Sequence, residues 1–190
     1  MAEVQSTFML PPGASAPDFS LPDPEGNLIS RGTAAGPNGL VVVFACNHCP
    51  FVIHLADALG ALAAGLAAQG VGTVAINPND TSRYPQDGPD AMRGFAAEHG
   101  WRFPYLIDGT QSVAKAFGAA CTPDFFLLDA AGRVFYTGQF DDSRPRGGLR
   151  AHGGDLEEAV RRMLAGEGPL ERPYPSSGCN IKWIPGNEPD

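Results

Sequence analysis

The sequence predicts an α/β domain built around a central mixed β-sheet with helices on its faces. Residues 40–45 form a continuous apolar run, residues 50–68 are rich in Ala and Leu, and residues 71–77 form a second apolar run. Two buried strands joined by a helix indicate a βαβ unit with a right-handed crossover. Two further strands and a closing helix follow after an inserted segment. The predicted order is therefore β-α-β, insertion, β-β-α.

The individual elements follow from local patterns. Residues 16–28 predict a short strand, a Pro/Gly turn and a partner strand. The helix over 50–68 places Leu55, Leu59, Leu62 and Leu66 on one face at helical spacing. Residues 89–99 and 111–117 favour helices, and residues 103–107 favour a short extended segment. Residues 125–138 predict a hairpin around a turn at 129–132, and Asp155 is expected to cap the last helix.

Length and composition fit one domain over residues 1–190. The chain has 190 residues, of which 43% are hydrophobic, enough for a sizeable core. We expect residues 1–38 to form an N-terminal extension that contains the first hairpin. Residues 166–190 are rich in Pro and Gly but also carry Tyr174, Cys179, Ile181 and Trp183. This tail is therefore expected to pack on the domain.

The net charge and the hydrophobic pattern of the sequence argue against several classes of function. The net charge is −8 and the sequence pI is near 4.9, which argues against nucleic-acid binding. Residues 1–19 lack a basic segment followed by an apolar one, and no stretch approaches the ~20 apolar residues of a membrane span. We expect a cytoplasmic protein without a membrane partner. The sequence leaves its oligomeric state open.

The strongest chemical signal is the motif Cys46-Asn47-His48-Cys49 between the first strand and its helix. Unpaired N–H groups and the positive end of the dipole at a helix N-terminus stabilise a thiolate, which is the reactive form of cysteine. We expect Cys46 to be the more exposed thiol and to attack an external disulfide. Cys49 would then resolve the mixed disulfide, and His48 would stabilise the Cys46 thiolate.

A metal site is the main alternative. Cys46, Cys49 and either His48 or His54 are suitable ligands for Zn²⁺ or Cu(I). A structural zinc site, however, usually takes two such motifs, and neither Cys121 nor Cys179 belongs to a second one. The redox interpretation is therefore favoured, with no metal site assigned. No dinucleotide-binding glycine motif or P-loop is present, so no cofactor is expected.

The order of strand, CxxC motif, helix and Thr-Pro before a hairpin resembles the thioredoxin fold. Residues 122–129 resemble the Thr-Pro strand of thioredoxin-like thiol–disulfide proteins. The resemblance implies that Pro123 is cis and faces the CxxC motif. It also implies that Thr122 offers its backbone to a bound substrate peptide as an added strand.

More specifically, the chain resembles a peroxiredoxin-like group of the bacterial thioredoxin family. The similarity lies in residues 16–19, 46–52, 76–80, 141–145 and 178–183. It implies a thiol–disulfide oxidoreductase, with hydroperoxide reduction as a related activity. Protein or small-molecule thiols and disulfides, and peroxide, would be its substrates.

Three features depart from the related families. Ala45 stands where thioredoxin has tryptophan, and residues 40–44 contain no acid. The threonine that peroxiredoxins place three residues before the reactive cysteine is absent before both Cys46 and Cys49. Two interpretations of Cys179 remain open: it resolves a disulfide or sulfenic acid, or it anchors the tail.

Overall fold

A computed structural model describes residues 3–189, and its centre is a mixed β-sheet. The strands of this sheet are β4 (Gly39–Phe44), β5 (Val71–Asn77), β6 (Tyr105–Ile107), β8 (Asp124–Asp129) and β9 (Val134–Gly138). β4 pairs antiparallel with β8, β8 pairs antiparallel with β9, and β5 pairs parallel with β6. β5 lies beside β4, where the Ala45 N–H donates to the Ile76 carbonyl over 2.9 Å. This arrangement confirms the predicted mixed sheet.

Helices cover the sheet. They are α1 (Arg31–Ala34), α2 (Pro50–Ala68), α3 (Pro89–Glu98), α4 (Ser112–Phe117) and α5 (Gly154–Leu164). Val41 and Val43 of β4 face a core that includes side chains of α2 and α5, whereas Val42 faces a second core that includes α4. β4 is buried at every position, as its continuous apolar sequence predicts.

α2 has the bounds that its composition predicts, and it corrects one expectation. By length and composition alone, this helix of 19 residues would suffice to cross a membrane. The expectation that no stretch approaches a membrane span is therefore wrong. Leu55, Leu59 and Leu66 are nevertheless buried against the sheet, as the core helix of an α/β domain requires.

Two peripheral elements also lie where the sequence predicts them. β2 (Ser20–Pro22) and β3 (Leu28–Ser30) form the predicted antiparallel hairpin. α5 covers the predicted segment, but its N-cap is Gly153, with a φ of 75°. Asp155 lies in the first turn, where it accepts a hydrogen bond from Gln139 over 2.6 Å. The prediction that Asp155 is the cap is therefore wrong.

The tail adds a strand that the sequence does not predict. β10 (Ser177–Asn180) lies between β1 (Glu3–Gln5) and β7 (Cys121–Thr122) and is antiparallel to both. Its register places Cys179 opposite Thr122. Ile181, which follows this strand, is buried in the core beside α4. The tail thus packs against the end of the sheet where the CxxC motif lies.

Candidate redox site

The CxxC motif lies where β4 passes into α2. β4 ends at Phe44, and Cys49 is the N-cap of α2, with Pro50 at the first helical position. Proline is favoured there because its missing N–H would have no partner within the helix. All four cysteines of the chain are free thiols and all are buried. Sequence reasoning placed the motif correctly at this strand-to-helix junction.

Thr122 contacts both thiols of the motif. The Cys49 thiol donates to the Thr122 carbonyl over 3.0 Å, and the Cys46 sulfur lies 3.4 Å from the Thr122 hydroxyl. The Thr122–Pro123 peptide bond is cis. The implied cis proline beside the CxxC motif is therefore present, and the two chain segments are in direct contact.

The surroundings favour a thiolate at Cys49. The pKa of Cys49 is lowered to about 5, first by a hydrogen bond from the Cys46 thiol to the thiolate and further by donation from Cys179. The Val52 amide and the Thr122 hydroxyl add to this effect, whereas burial of Cys49 opposes it. The Thr122 carbonyl also opposes ionisation, because it can accept a hydrogen bond only from the neutral thiol. The N-terminus of a helix of 19 residues adds its own favourable field.

The surroundings of Cys46 favour its neutral thiol instead. Donation to Cys49 raises the pKa of Cys46, and burial and the nearby Asp87 carboxylate raise it further. The side chains of Cys46 and Cys49 are also equally inaccessible, at 1% and 0% exposure. The expectation that Cys46 is the more exposed thiol is therefore wrong. Together these surroundings make Cys49 the more nucleophilic sulfur and Cys46 its proton-bearing partner.

A buried carboxylate that sequence reasoning did not identify holds the loop between the cysteines. Asp87, with 0% exposure, accepts hydrogen bonds from the Asn47 and His48 amides over 2.9 and 3.3 Å. Its second oxygen lies 2.7 Å from His48 Nδ1 and accepts from Asn79 over 2.9 Å. The His48 ring also stacks on Tyr84. These contacts direct the imidazole to Asp87.

The residues around Asp87 explain its position. It ends a short 3₁₀ helix, Pro85–Asp87, inside the segment inserted after β5. Asn77 donates to the Asp87 carbonyl over 2.7 Å. Tyr105 donates to the Asn47 side chain over 3.0 Å and so holds the loop from the sheet side. The only signal in the sequence was the position of Asn77 and Asn79 at the carboxyl end of a strand, where sites gather in α/β folds.

The contacts around Asp87 also bear on the alternative that the motif binds a metal ion. Donor atoms of Cys46, His48 and Asp87 lie within 4.8 Å of one another. His48 Nδ1, however, already pairs with Asp87, and each oxygen of Asp87 has hydrogen-bond partners. Cys49 lies outside this group, and its thiol faces Thr122. The arrangement fits a hydrogen-bonded support for the loop better than the Cys46, Cys49 and histidine site that the sequence offered.

The other two cysteines lie near the motif. Burial raises the pKa of Cys179 to about 12, and donation to the Cys49 thiolate contributes to this rise. Burial also raises the pKa of Cys121, whose thiol donates to the Pro123 carbonyl over 3.4 Å. Cys179 is thus brought to the site from the tail, whereas Cys121 is a buried thiol whose hydrogen bond goes to Pro123.

The strand position beside Thr122 is filled by the chain itself. The resemblance implied that the Thr122 backbone would receive a substrate peptide, but β10 pairs there, with Cys179 opposite Thr122. Gly178 makes this approach possible, since a Cβ at that position would lie 2.0 Å from the Thr122 carbonyl oxygen. A peptide could pair with this edge only after β10 had moved away.

A small cleft is lined in part by Pro123. Its walls include Phe51, His54, Phe140 and Arg144. His54 Nε2 lies 2.9 Å from the Ser143 hydroxyl, so His54 is engaged away from the thiols. Arg144 donates to Gln139 over 2.6 Å and to neighbouring carbonyls. These contacts assign both residues to the support of the cleft wall.

A mixed sheet with paired thiols at a strand-to-helix junction, beside a cis proline, is the layout of the thioredoxin fold. The chain belongs to the Redoxin family, whose model matches residues 11–151. A Mycobacterium tuberculosis protein provisionally named a peroxiredoxin is 31% identical over 117 residues, covering 60% of this chain and 67% of the relative. The thiol-disulfide oxidoreductase ResA of Bacillus anthracis is 26% identical over 64% of this chain and 66% of its own.

Solved structures share the fold of this chain. An uncharacterised conserved protein from Geobacillus kaustophilus is 44% identical and superimposes with a TM-score of 0.93, covering 98% of each chain. A hypothetical protein from Sinorhizobium meliloti is 45% identical with a TM-score of 0.92, over 96% of this chain and 99% of that one. A protein from Chlorobium tepidum provisionally named a thiol:disulfide interchange protein DsbE is 24% identical with a TM-score of 0.62, covers 82% of this chain and 99% of its own, and shares the fold.

Proposed function

We propose that this protein is a thiol–disulfide oxidoreductase in which Cys46 and Cys49 cycle between a dithiol and a disulfide. The observation that carries the proposal is the Cys49 sulfur at the N-cap of α2, in one buried cluster with Cys46 and in contact with Thr122 before the cis Pro123. The N-terminus of a helix favours the thiolate, which is the nucleophilic form of cysteine.

The exchange begins with attack by the Cys49 thiolate on one sulfur of a substrate disulfide. The substrate S–S bond breaks, and the leaving thiolate takes up a proton. The Cys46 thiol then attacks the Cys49 sulfur, forms the Cys46–Cys49 disulfide and releases the second substrate thiol with the proton of Cys46. A dithiol reductant restores the starting state. This reverses the order of attack that the sequence alone favoured, because the pKa of Cys49 is lowered and that of Cys46 is raised.

Hydroperoxide reduction is a second candidate, and the burial of Cys49 favours it. A sulfur with 0% exposure is more easily reached by a small molecule than by a protein disulfide. The Cys49 thiolate would attack the terminal peroxide oxygen, the O–O bond would break, and an alcohol or water would leave. Cys46 would then condense with the resulting sulfenic acid, forming the disulfide and releasing water.

Both candidates are tested by one set of variants. Turnover of an insulin-type disulfide and of hydrogen peroxide, with dithiothreitol as reductant, is compared for wild type, Cys46→Ser and Cys49→Ser. Cys121→Ser is the matched control, since it removes a buried thiol of the same cluster. We expect Cys49→Ser to abolish turnover and Cys121→Ser to retain it. Wild-type turnover that persists in Cys49→Ser would overturn the proposal.

A further inference from the structure

The tail strand presents a third thiol to the nucleophilic cysteine. β10 is antiparallel to β7, and Cys179 lies directly opposite Thr122, the residue whose carbonyl accepts from the Cys49 thiol. Cys179 packs in the same buried cluster as Cys46 and Cys49. Both Cys46 and Cys179 lower the pKa of Cys49, because each can donate a hydrogen bond to its thiolate. The sulfur of Cys49 therefore has two thiol neighbours within the chain.

The tail is fastened at this position from several sides. Val4 of β1 pairs with Gly178, and Ser6 and Ser176 exchange hydrogen bonds of 2.9 and 3.1 Å. Beyond the strand, the Lys182 amide donates to Asn79 over 2.9 Å. Cys179 itself is only 4% exposed. These contacts fix the Cys179 thiol beside the motif instead of leaving it on a free terminus.

β10 also occupies the place that an added peptide strand would take. Extended peptides bind sheet edges through main-chain hydrogen bonds, and the edge of β7 beside the motif is already paired with β10. A thiol carried by a bound peptide would lie where Cys179 lies. The tail thus occupies the position of an added strand on this edge.

We propose that Cys49 has two disulfide partners in this chain, Cys46 and Cys179, and that oxidation leads to an intramolecular Cys49–Cys179 disulfide. The inference rests on the proposed redox function. Starting from the Cys46–Cys49 disulfide, the Cys179 sulfur attacks Cys49 and the Cys46 sulfur leaves. The proton lost by Cys179 passes to Cys46, so the exchange needs no further oxidant. The new bond ties β10 to the motif and closes the edge of β7 to peptide substrates.

The test is disulfide mapping by mass spectrometry after oxidation of the reduced, folded protein with one equivalent of diamide. This reagent takes two hydrogen atoms from a thiol pair and becomes the hydrazine. In Cys46→Ser we expect Cys49 to be linked to Cys179 in most molecules. The link should be lost in Cys46→Ser/Cys179→Ala and retained in Cys46→Ser/Cys121→Ser, the matched control. Wild type, quenched with acid and mapped in the same way, should contain both the Cys46–Cys49 and the Cys49–Cys179 disulfides.

The possible outcomes distinguish the inference on Cys179 from the proposed redox function. If wild type forms only the Cys46–Cys49 disulfide and folded Cys46→Ser leaves Cys49 unlinked or linked between chains, the inference on Cys179 is overturned while the redox function stands. If Cys49 enters no disulfide in either protein, the proposed function fails as well. Mapping of the wild type keeps the test decisive should Cys46→Ser fail to fold.

Discussion

Neutralising Asp87 should make Cys46 markedly more acidic. The Asp87 carboxylate is fully buried, and one of its oxygens lies within 4.8 Å of the Cys46 sulfur. Two unit charges at that separation interact by about 3.5 kcal/mol at an effective dielectric constant of about 20. This corresponds to a change of roughly a few hundredfold in the ionisation constant of the thiol. The figure is an upper limit, since the Asn47 and His48 amides and the imidazole offset part of the carboxylate charge.

The variant is Asp87→Asn in a Cys49→Ser background, so that Cys46 does not share its proton with Cys49. Asparagine keeps the size of the side chain and one acceptor oxygen for the Asn47 and His48 amides. The alkylation rate of Cys46 by a small haloacetamide, resolved by mass spectrometry over a range of pH, gives its pKa. We expect the pKa to fall relative to Cys49→Ser alone.

Asp80→Asn is the matched control in the same background. Asp80 belongs to the same inserted segment and is also largely buried, but its side chain accepts from Ser82 over 3.0 Å and does not contact the motif. The control should leave the pKa of Cys46 unchanged. An unchanged or higher pKa in a folded Asp87→Asn protein would refute the electrostatic reasoning.

Three further predictions concern the surroundings of the site. Gly178→Ala should separate β10 from β7, because the new Cβ would lie 2.0 Å from the Thr122 carbonyl oxygen; urea unfolding should show a loss of stability, and Cys179 should be alkylated faster. Burial raises the pKa of Asp124 to about 7. Between about pH 4 and 7 the folded state then holds a proton that the unfolded state has lost. The free energy of unfolding should therefore fall as the pH rises through this range, by roughly 4 kcal/mol at most. This fall should be absent in Asp124→Asn. Tyr105→Phe should cost about 1 kcal/mol in urea unfolding, because it removes the 3.0 Å hydrogen bond to Asn47.

These three predictions have separate controls and contrary outcomes. Gly168→Ala lies in the same tail with no atom within 4 Å of its new Cβ, so a loss of stability equal to that of Gly178→Ala would contradict the steric argument. A wild-type stability that rises from pH 4 to 7 relative to Asp124→Asn would contradict the burial argument. For Tyr105, an unchanged unfolding midpoint would show that the hydrogen bond contributes nothing net.

The sequence predicted the parts of the fold that local patterns determine. The run over 40–44 is buried on both faces, and α2 begins and ends where its composition changes. The placement of the CxxC motif at the start of α2 follows from these two elements. The cis bond before Pro123 was anticipated only through the resemblance, because a cis X–Pro bond has no local signature.

Non-local contacts explain what the sequence did not predict. Asp87 lies in a polar segment without periodicity, and its role depends on Asn47 and His48, about 40 residues away. β10 has the sequence Ser-Gly-Cys-Asn, in which Gly and Asn disfavour strands. Its pairing with β1 and β7 supplies the stabilisation that its own residues do not. The relative acidity of Cys46 and Cys49 likewise depends on groups brought in by folding.

The proposed function requires that Cys46 and Cys49 form a redox couple. It is tested most directly by an equilibrium redox titration of Cys121→Ser/Cys179→Ser, in which only these two thiols remain. Free thiols are counted by mass spectrometry across dithiothreitol buffers of graded potential. We expect both thiols to disappear together in one two-electron transition, with a Cys46–Cys49 disulfide as the product. A folded protein in which both cysteines stay reduced throughout, or are oxidised separately, would contradict it.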